Sequence, residues 1–585
     1  MNAIKAFLLT SLIGIFSQCG EDFLDVQPQG KLNEMTIASE KGVKELLVSA
    51  YAELRGHGRW WSVAPSNWMY GDIPSDDAYV GERAGDASNL MNEIEEYTLT
   101  AVQGSSTIGP QDKWQSVFKG ISRCNAVIRT VRNADGLSDG DVKALEAEAR
   151  FLRAHFHFEG KKIFNKFPFI AETVTDFRVS NKEDIWPLIE ADLQFAYENL
   201  PEVQEEIARV TKWSAAALLA KAHLFQNDYT AAKPILDDII ANSGRSLTPK
   251  FYDNFNEVNR VTSEDLFIVN FSVNDPARST WDYGYEGNIG EYDFMGWDAG
   301  GPSWGGTLFK GSYNLANAFR TDPLTGLPLF DSYNENGLPT DDTASDFVPY
   351  QGTLDPRIDH TLGRAGLPYL DWGIHAGQAW RGWVSDFGIY NSKKRWYRKE
   401  NTNKYNREDH MWWLMGLNAN NYSFIRYADV LLWAAECEVE IGSLDKAREY
   451  VNEVRGRAAN PAGMVKIYKK ELHPGGYYQD STVNAANYLI REYPSFPDKE
   501  YARRAVRWER RLELAMEGHR FFDLVRWGIA AETINTYLTV EGTRVNHLSG
   551  VHFVENKNEY QPIDSKEIEL STKDGVPQLE QNNGF

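Results

Sequence analysis

The sequence predicts a mainly α-helical protein, a superhelical scaffold of helix pairs interrupted by one large loop-rich, aromatic-rich insertion. Three observations lead there. Apolar residues recur at three- and four-residue steps in the first and last parts of the chain, a helix-pair repeat links those two parts, and helical periodicity gives way between them to Gly, Pro, Asn, Asp and aromatics.

The elements follow in order. Residues 19–245 form the first helical region. Trp114, Val117, Phe118, Ile121, Ile128 and Val131 make one apolar stripe, and Val142, Leu145, Ala149, Leu152 and Phe156 a second. Thr211 is placed as an N-cap for a helix through Ala215, Leu218, Leu219 and Ala222. A fourth helix holds Ile235, Leu236 and Ile239 and stops near Gly244. Residues 246–420 form the insertion, with stretches such as Trp281-Asp282-Tyr283-Gly284-Tyr285 and Trp304-Gly305-Gly306. Long irregular stretches inside a compact protein tend to be functional. Residues 421–585 return to helices from Ile425 onward.

The repeat ties the two helical regions together. Ala215–Ile239 superimposes on Val430–Val454 at a constant offset, matching Leu218 to Trp433, Ala222 to Cys437, Tyr229 to Leu444, Ala232 to Ala447, Leu236 to Val451 and Ile239 to Val454. Each copy is a small-residue-rich helix, a tight turn and an alanine-bearing second helix, which resembles the tetratricopeptide unit. Small residues let paired helices approach closely, and stacked pairs build a superhelix.

Composition narrows the partners. A net charge of −22 argues against nucleic acid, which calls for a basic field to replace phosphate counterions. Trp 18, Tyr 28 and Phe 29 make a chain rich in flat faces suited to cores and to stacking sites. Cys124 and Cys437 lie in helical stripes and read as buried thiols, not as a disulfide framework.

Cys19 reads differently. Lys5 precedes the apolar run Ala6–Phe16, too short to span a bilayer and suited to a secretory signal over residues 1–18. Ser17-Gln18-Cys19 resembles a bacterial lipoprotein processing site, and Gly20-Glu21-Asp22 resembles a surface-export signal. The expectation is lipidation at Cys19, with acyl chains holding the body to a membrane.

Several segments together resemble the SusD/RagB family. They are Asp22-Phe23-Leu24-Asp25; Ala147 to Phe158 with Phe167-Pro168-Phe169-Ile170; Thr211 to Ala220; Ile425 to Glu436 with Asn452 to Ala458; Glu509 to Gly528; and Gln561-Pro562-Ile563-Asp564 with Leu579 to Phe585. The matches run in family order over nearly the whole chain. The resemblance implies a tetratricopeptide-like fold and a nutrient-binding lipoprotein of the outer membrane, facing the exterior. It also implies a glycan site on the exposed face and a SusC-like, TonB-dependent β-barrel transporter as partner. The RagB side of the family leaves a peptide ligand as an alternative.

No catalytic set stands out. Glu513 and Glu517, four apart on one helical face, resemble a glycosidase pair, but Arg510, Arg511, Arg520 and Arg526 surround them and would keep both ionised. A structural ion-pair network is the expectation, and a surface glycoside hydrolase the lesser alternative. His155 and His157 diverge on a helix and cannot share a metal. Asp341, Asp342 and Asp346 lack the calcium-loop spacing, and no phosphate loop or zinc pattern is present. The expectation is a binding protein without enzyme activity, metal or cofactor.

The aromatic residues of the insertion remain as ligand contacts. Trp281, Tyr283, Trp297, Trp304, Trp380 and Trp383 sit among Gly and polar residues without helical periodicity, so they are candidates for stacking on sugar rings. Trp372 and Trp396 share that setting. The segment from Trp60-Trp61 to Asp76-Asp77 and Tyr79 mixes aromatics with acids. In relatives the early region and the insertion contribute to the glycan site, which makes Asp77, Trp297 and Trp304 the leading contacts.

Overall fold

The computed structural model describes residues 37–56, 60–81, 89–103, 109–271, 309–343, 346–381, 388–394, 396–402, 404–407 and 417–585. Its scaffold is a run of helices: α1 (Glu40–Ala52), α2 (Pro110–Val131), α3 (Asp139–Phe164), α4 (Trp186–Asn199), α5 (Lys212–Phe225) and α6 (Tyr229–Asn242), then after the insertion α7 (Tyr427–Ile441), α8 (Leu444–Ala458), α9 (Lys499–Leu514), α10 (Arg520–Arg526) and α11 (Ala530–Glu541). From α1 to α6 each helix packs on the next. α6 then packs directly on α7, and α9 covers α7 and α8. The stack is continuous in space although the insertion divides it in sequence.

The predicted repeat is present. Both helices of the second pair, α7 and α8, start at the offset set by Tyr229 and Leu444. Leu218 and Trp433, Ala222 and Cys437, Ala232 and Ala447, Leu236 and Val451, and Ile239 and Val454 are all buried. Equivalent positions are therefore buried in both copies. Thr211 caps α5, its hydroxyl accepting from the Ser214 amide, and α6 ends two residues before Gly244, which takes a left-handed φ of +67°. Cys124 and Cys437 are free and buried, as expected, and burial pushes both thiols up.

α3 is enclosed on most sides, and the close packing rests on small groups. A Cβ on Gly120 of α2 would come within 2.6 Å of the Phe156 ring, so the α2–α3 crossing needs glycine there. His155 and His157 both lie inside. His155 packs edge-on against Phe267 and Phe424, whereas His157 stacks on Phe169. Their rings part company as the sequence spacing requires. The His157 Nε2 accepts from the Ile170 amide at 3.0 Å, so its Nδ1 carries the proton and donates to the Arg153 carbonyl at 2.9 Å. That tautomer is neutral.

The insertion is joined to the scaffold at its base. Strand β2 (Asp265–Val269) pairs antiparallel with β6 (Tyr422–Arg426), which runs straight into α7. A four-stranded sheet adds a second attachment. Its strands run in the order β1 (Ala78–Tyr79), β3 (Lys310–Gly311), β5 (Tyr390–Ser392) and β4 (Leu362–Gly363), all antiparallel, and so link the early region to the insertion. A further hairpin, β7 (Lys466–Tyr468) with β8 (Asp480–Asn484), leaves the scaffold between α8 and α9. Among the described residues no helix is long and apolar enough to cross a membrane.

The buried histidines set an early phase of acid destabilisation. Burial lowers His155 and His157 to about 3 and His360 to about 4, against an ordinary value near 6.5. The folded state therefore binds fewer protons than the unfolded chain between pH 6.5 and about 4, and stability falls as pH falls through that window. Each histidine contributes up to about 1.4 kcal/mol per pH unit. Denaturant titrations at pH 7, 6 and 5 should show this loss well before the carboxylates titrate. A flat stability between pH 7 and 4.5 would show that these rings take up protons in the folded state.

Candidate functional site

The segment Glu509–Gly528, read in the sequence as scaffold, forms the floor on which the insertion rests. Glu513 is fully buried and meets three guanidiniums: Arg426 at 2.5 Å, Arg357 at 2.9 Å, and Arg457. Glu517 accepts from Lys394 at 2.6 Å and Arg426 at 3.1 Å. Glu509 pairs with Arg357 at 2.7 Å and Arg455 at 2.8 Å. Glu264, at the start of β2, accepts from Arg457 at 2.6 Å, and Asp355 accepts from Arg357 at 2.7 Å. Acids and bases are equal in number, so the cluster carries no uncompensated charge.

This arrangement corrects the partners expected for the two glutamates. Arg510 pairs with Asp523, Arg526 with Glu436 and Asp523, and Arg511 and Arg520 with the early loop. The bases around Glu513 and Glu517 come from β6, α8 and the insertion instead. Burial would raise the Glu513 carboxyl, but Arg457, Arg426 and Arg357 outweigh it and hold it well below the usual range. Arg426 and Lys394 likewise outweigh burial and lower Glu517. Acid–base hydrolysis needs two carboxyls whose environments pull their pKa values apart; these two are pulled the same way, out of reach of solvent.

Asp77 also needs correction. It is 0% exposed, and its Oδ1 accepts from Arg511 Nε at 2.7 Å. Its neighbour Asp76 accepts from Arg520 Nε at 2.7 Å, and Arg511 and Arg520 overcome burial to hold it at about 2. The early acidic loop is thereby locked onto α9 and α10, with Asp77 inside the protein and paired with Arg511. Gly518 makes room for this contact. It takes φ +82°, a Cβ on it would strike the Ser66 carbonyl oxygen, and its amide donates to Asp72 Oδ2 at 2.8 Å.

Trp380 is likewise interior, 4% exposed, with its ring edge-on to Tyr369 and tilted against His375. It joins Tyr252, Tyr369, Leu370, Trp396 and Tyr397 in a small core under the insertion, so neither Trp380 nor Trp396 is available for stacking. Trp372 is half-buried and donates its Nε1–H to the Tyr397 carbonyl at 2.9 Å. The remaining expected contacts, Trp281, Tyr283, Trp297, Trp304 and Trp383, and the lipidation residue Cys19, lie outside the described residues.

Two features at this edge escaped the sequence reading. One is a half-buried aromatic group on the β7–β8 hairpin. Tyr468 stacks on Tyr478 at 4.6 Å and His473 on Tyr477 at 4.2 Å, with the Tyr468 hydroxyl donating to the Leu370 and Gly373 carbonyls. The signal for it was Gly475-Gly476 between two short strand-like runs. The other is a polar cleft of about 200 Å³ lined by Tyr252, Asp253, His360, Lys393, Arg398 and Asp480, among others. It is assembled from distant segments and has no local pattern.

The fold and this layout define a class: a tetratricopeptide-like helix-pair scaffold with an insertion clamped to it by buried charge. The chain belongs to the SusD family, whose sequence model matches residues 264–585, more than half of it. A second family model, described as starch-binding associating with outer membrane, matches residues 22–224. SusD-like protein P25 of Formosa agariphila is 25% identical over 539 residues, covering 88% of each chain. Among solved structures, a SusD superfamily protein from Bacteroides vulgatus superposes with a TM-score of 0.68 at 18% identity, covering 94% of this chain and 100% of that one. Surface glycan-binding protein A from Bacteroides thetaiotaomicron in complex with laminarihexaose superposes with a TM-score of 0.59 at 20% identity, covering 93% and 100%.

The ion cluster predicts a large stability effect from a near-isosteric change. Glu513→Gln removes one charge and leaves Arg357, Arg426 and Arg457 short of an anion inside the protein. Breaking a buried pair in this way costs about 3–5 kcal/mol. Urea unfolding of the variant should show a loss of that order. A loss under about 1 kcal/mol, the scale of an exposed pair, would show that water screens the cluster.

Proposed function

We propose that this chain is a surface glycan-binding lipoprotein that captures oligo- or polysaccharide and passes it to a TonB-dependent β-barrel transporter. Membership of the SusD family carries the reading. Solved structures of the same fold described as laminarin-binding and as bound to laminarihexaose support a carbohydrate ligand. The description of the second family model supports a place at the outer membrane. Glu513 and Glu517 are both buried with bases that lower their carboxyls, which favours capture over cleavage.

A shallow site on a neutral glycan has no charge pair to exploit, so ring stacking supplies much of the affinity. The insertion tryptophans Trp281, Trp297 and Trp304 are assigned this role, and Asp77 is withdrawn from it. In calorimetry with laminarihexaose and other neutral oligosaccharides, each Trp→Ala change should cost about 1–3 kcal/mol, the scale of base stacking on aromatics. Trp433→Ala is the contrast. Trp433 is 1% exposed on the repeat helix, so its loss should cost about 3–5 kcal/mol of stability before it alters affinity. If all three insertion tryptophans can be removed without weakening a ligand that the parent binds, the platform lies elsewhere.

The anchor is tested separately. Cys19→Ala should shift the protein from the membrane fraction to the soluble fraction and abolish metabolic labelling with palmitate. Labelling that persists in the variant would remove Cys19 as the acylated residue.

A further inference from the structure

The polar cleft beside the β7–β8 hairpin contains donors that the fold does not use. Tyr252 is 8% exposed; its hydroxyl oxygen lies beside the Arg398 guanidinium, which can donate to it, and the hydroxyl's own proton has no acceptor among the described residues. A buried donor left without an acceptor is costly, and such a group in a native protein calls for an explanation. The Lys393 ammonium is 3% exposed. It donates to the Asp359 carbonyl at 2.6 Å and the Pro368 carbonyl at 2.9 Å, and among the described residues no carboxylate lies within ion-pair distance of it. An ammonium has three donors; the third has no oxygen acceptor among the described residues and only the face of the Tyr369 ring, 5.4 Å away, near it. Burial lowers this lysine to about 8. Arg398 completes the set. Its guanidinium lies 5.6 Å from the centre of the Tyr252 ring and meets Asp480 only at 4.0 Å, the outer edge of an ion pair.

The surroundings narrow the ligand. His360 is held neutral by burial and stacks on the Tyr252 ring, so it adds no charge. Asp253 and Asp480 supply acceptors along the same cleft. A polyanion such as sulfate or phosphate would meet these carboxylates on its remaining sides. A single carboxylate bearing hydroxyls would not, because its charge fits the cations and its hydroxyls fit the acceptors. We propose that this cleft binds the carboxylate of an acidic sugar, with Lys393, Arg398 and the Tyr252 hydroxyl as donors to the carboxylate and Asp253 and Asp480 as acceptors for the sugar hydroxyls. The proposal does not depend on the role assigned to the insertion tryptophans.

The purified full chain is titrated by calorimetry with sodium glucuronate and sodium galacturonate, and with glucose and sodium sulfate as controls. At least one uronate should bind, and neither control should. Arg398→Gln should weaken uronate binding about tenfold and Tyr252→Phe about fivefold, the loss of a charge-assisted and of an ordinary hydrogen bond respectively. Tyr252→Phe separates binding from folding. Its hydroxyl proton has no acceptor in the free protein and Arg398 keeps Asp480 nearby, so the variant should melt close to the parent while binding uronate less well. Laminarihexaose binding should be unchanged in both variants. Equal binding of glucose, equal binding of sulfate, absence of uronate binding, or uronate binding untouched by both substitutions would each overturn the assignment.

Discussion

The structure depends on charge that cannot be moved. Arg426 ends the strand that closes the insertion and opens the first helix after it, and its guanidinium reaches Glu264, Glu513 and Glu517. Around it Arg357, Arg455, Arg457 and Lys394 complete a cluster with almost no exposure. Taking such groups out of water is expensive, and their attraction offsets the cost only when every partner is in place. The cluster therefore acts chiefly as a register. One placement of the insertion satisfies all of it, and a shift by one residue would strand several charges at once.

That register explains how a long irregular segment can sit within a helical stack without loosening it. The β2–β6 ladder brings the two ends of the insertion together, so α6 packs on α7 as though nothing lay between. Extra loop length adds little to the closure cost, since that cost grows only with the logarithm of length. The same division frees sequence. Loops away from the ladder, the four-stranded sheet and the ion cluster are freer to vary than the residues that make those contacts.

Periodicity made the scaffold legible, because a helix reports its buried face within a few residues of sequence. Leu218 and Trp433, or Leu236 and Val451, can be matched without any tertiary information. The ion cluster was legible only in part. The arginine-rich helix announced that Glu513 and Glu517 would be paired, but the partners Arg357, Arg426 and Arg457 lie far away in sequence and no spacing names them. Asp77 shows the same limit from the other side. An acid among aromatics in a non-helical stretch reads alike whether it faces a sugar or the buried Arg511 guanidinium. Trp380 was misplaced because absence of helical period does not imply exposure; the insertion has a small core of its own. Tyr252, Lys393 and Arg398 gave no signal, since only the fold brings them together.

The overall charge constrains how such a protein meets an acidic ligand. A chain of net charge −22 repels a polyuronate at long range, but at physiological ionic strength that field decays within about 8 Å. Attraction then has to come from short contacts in a partly dehydrated recess, where charges interact more strongly than in bulk water. The Tyr252 cleft supplies such a recess: one cation is buried with two carbonyls as its acceptors, another stands at the rim, and the nearby carboxylates limit the anion to a single charge. Stacking on neutral rings needs none of this and is nearly indifferent to salt. The two proposed modes of recognition would therefore differ in salt dependence, with the cleft weakening only modestly because its contacts would lie inside the screening length.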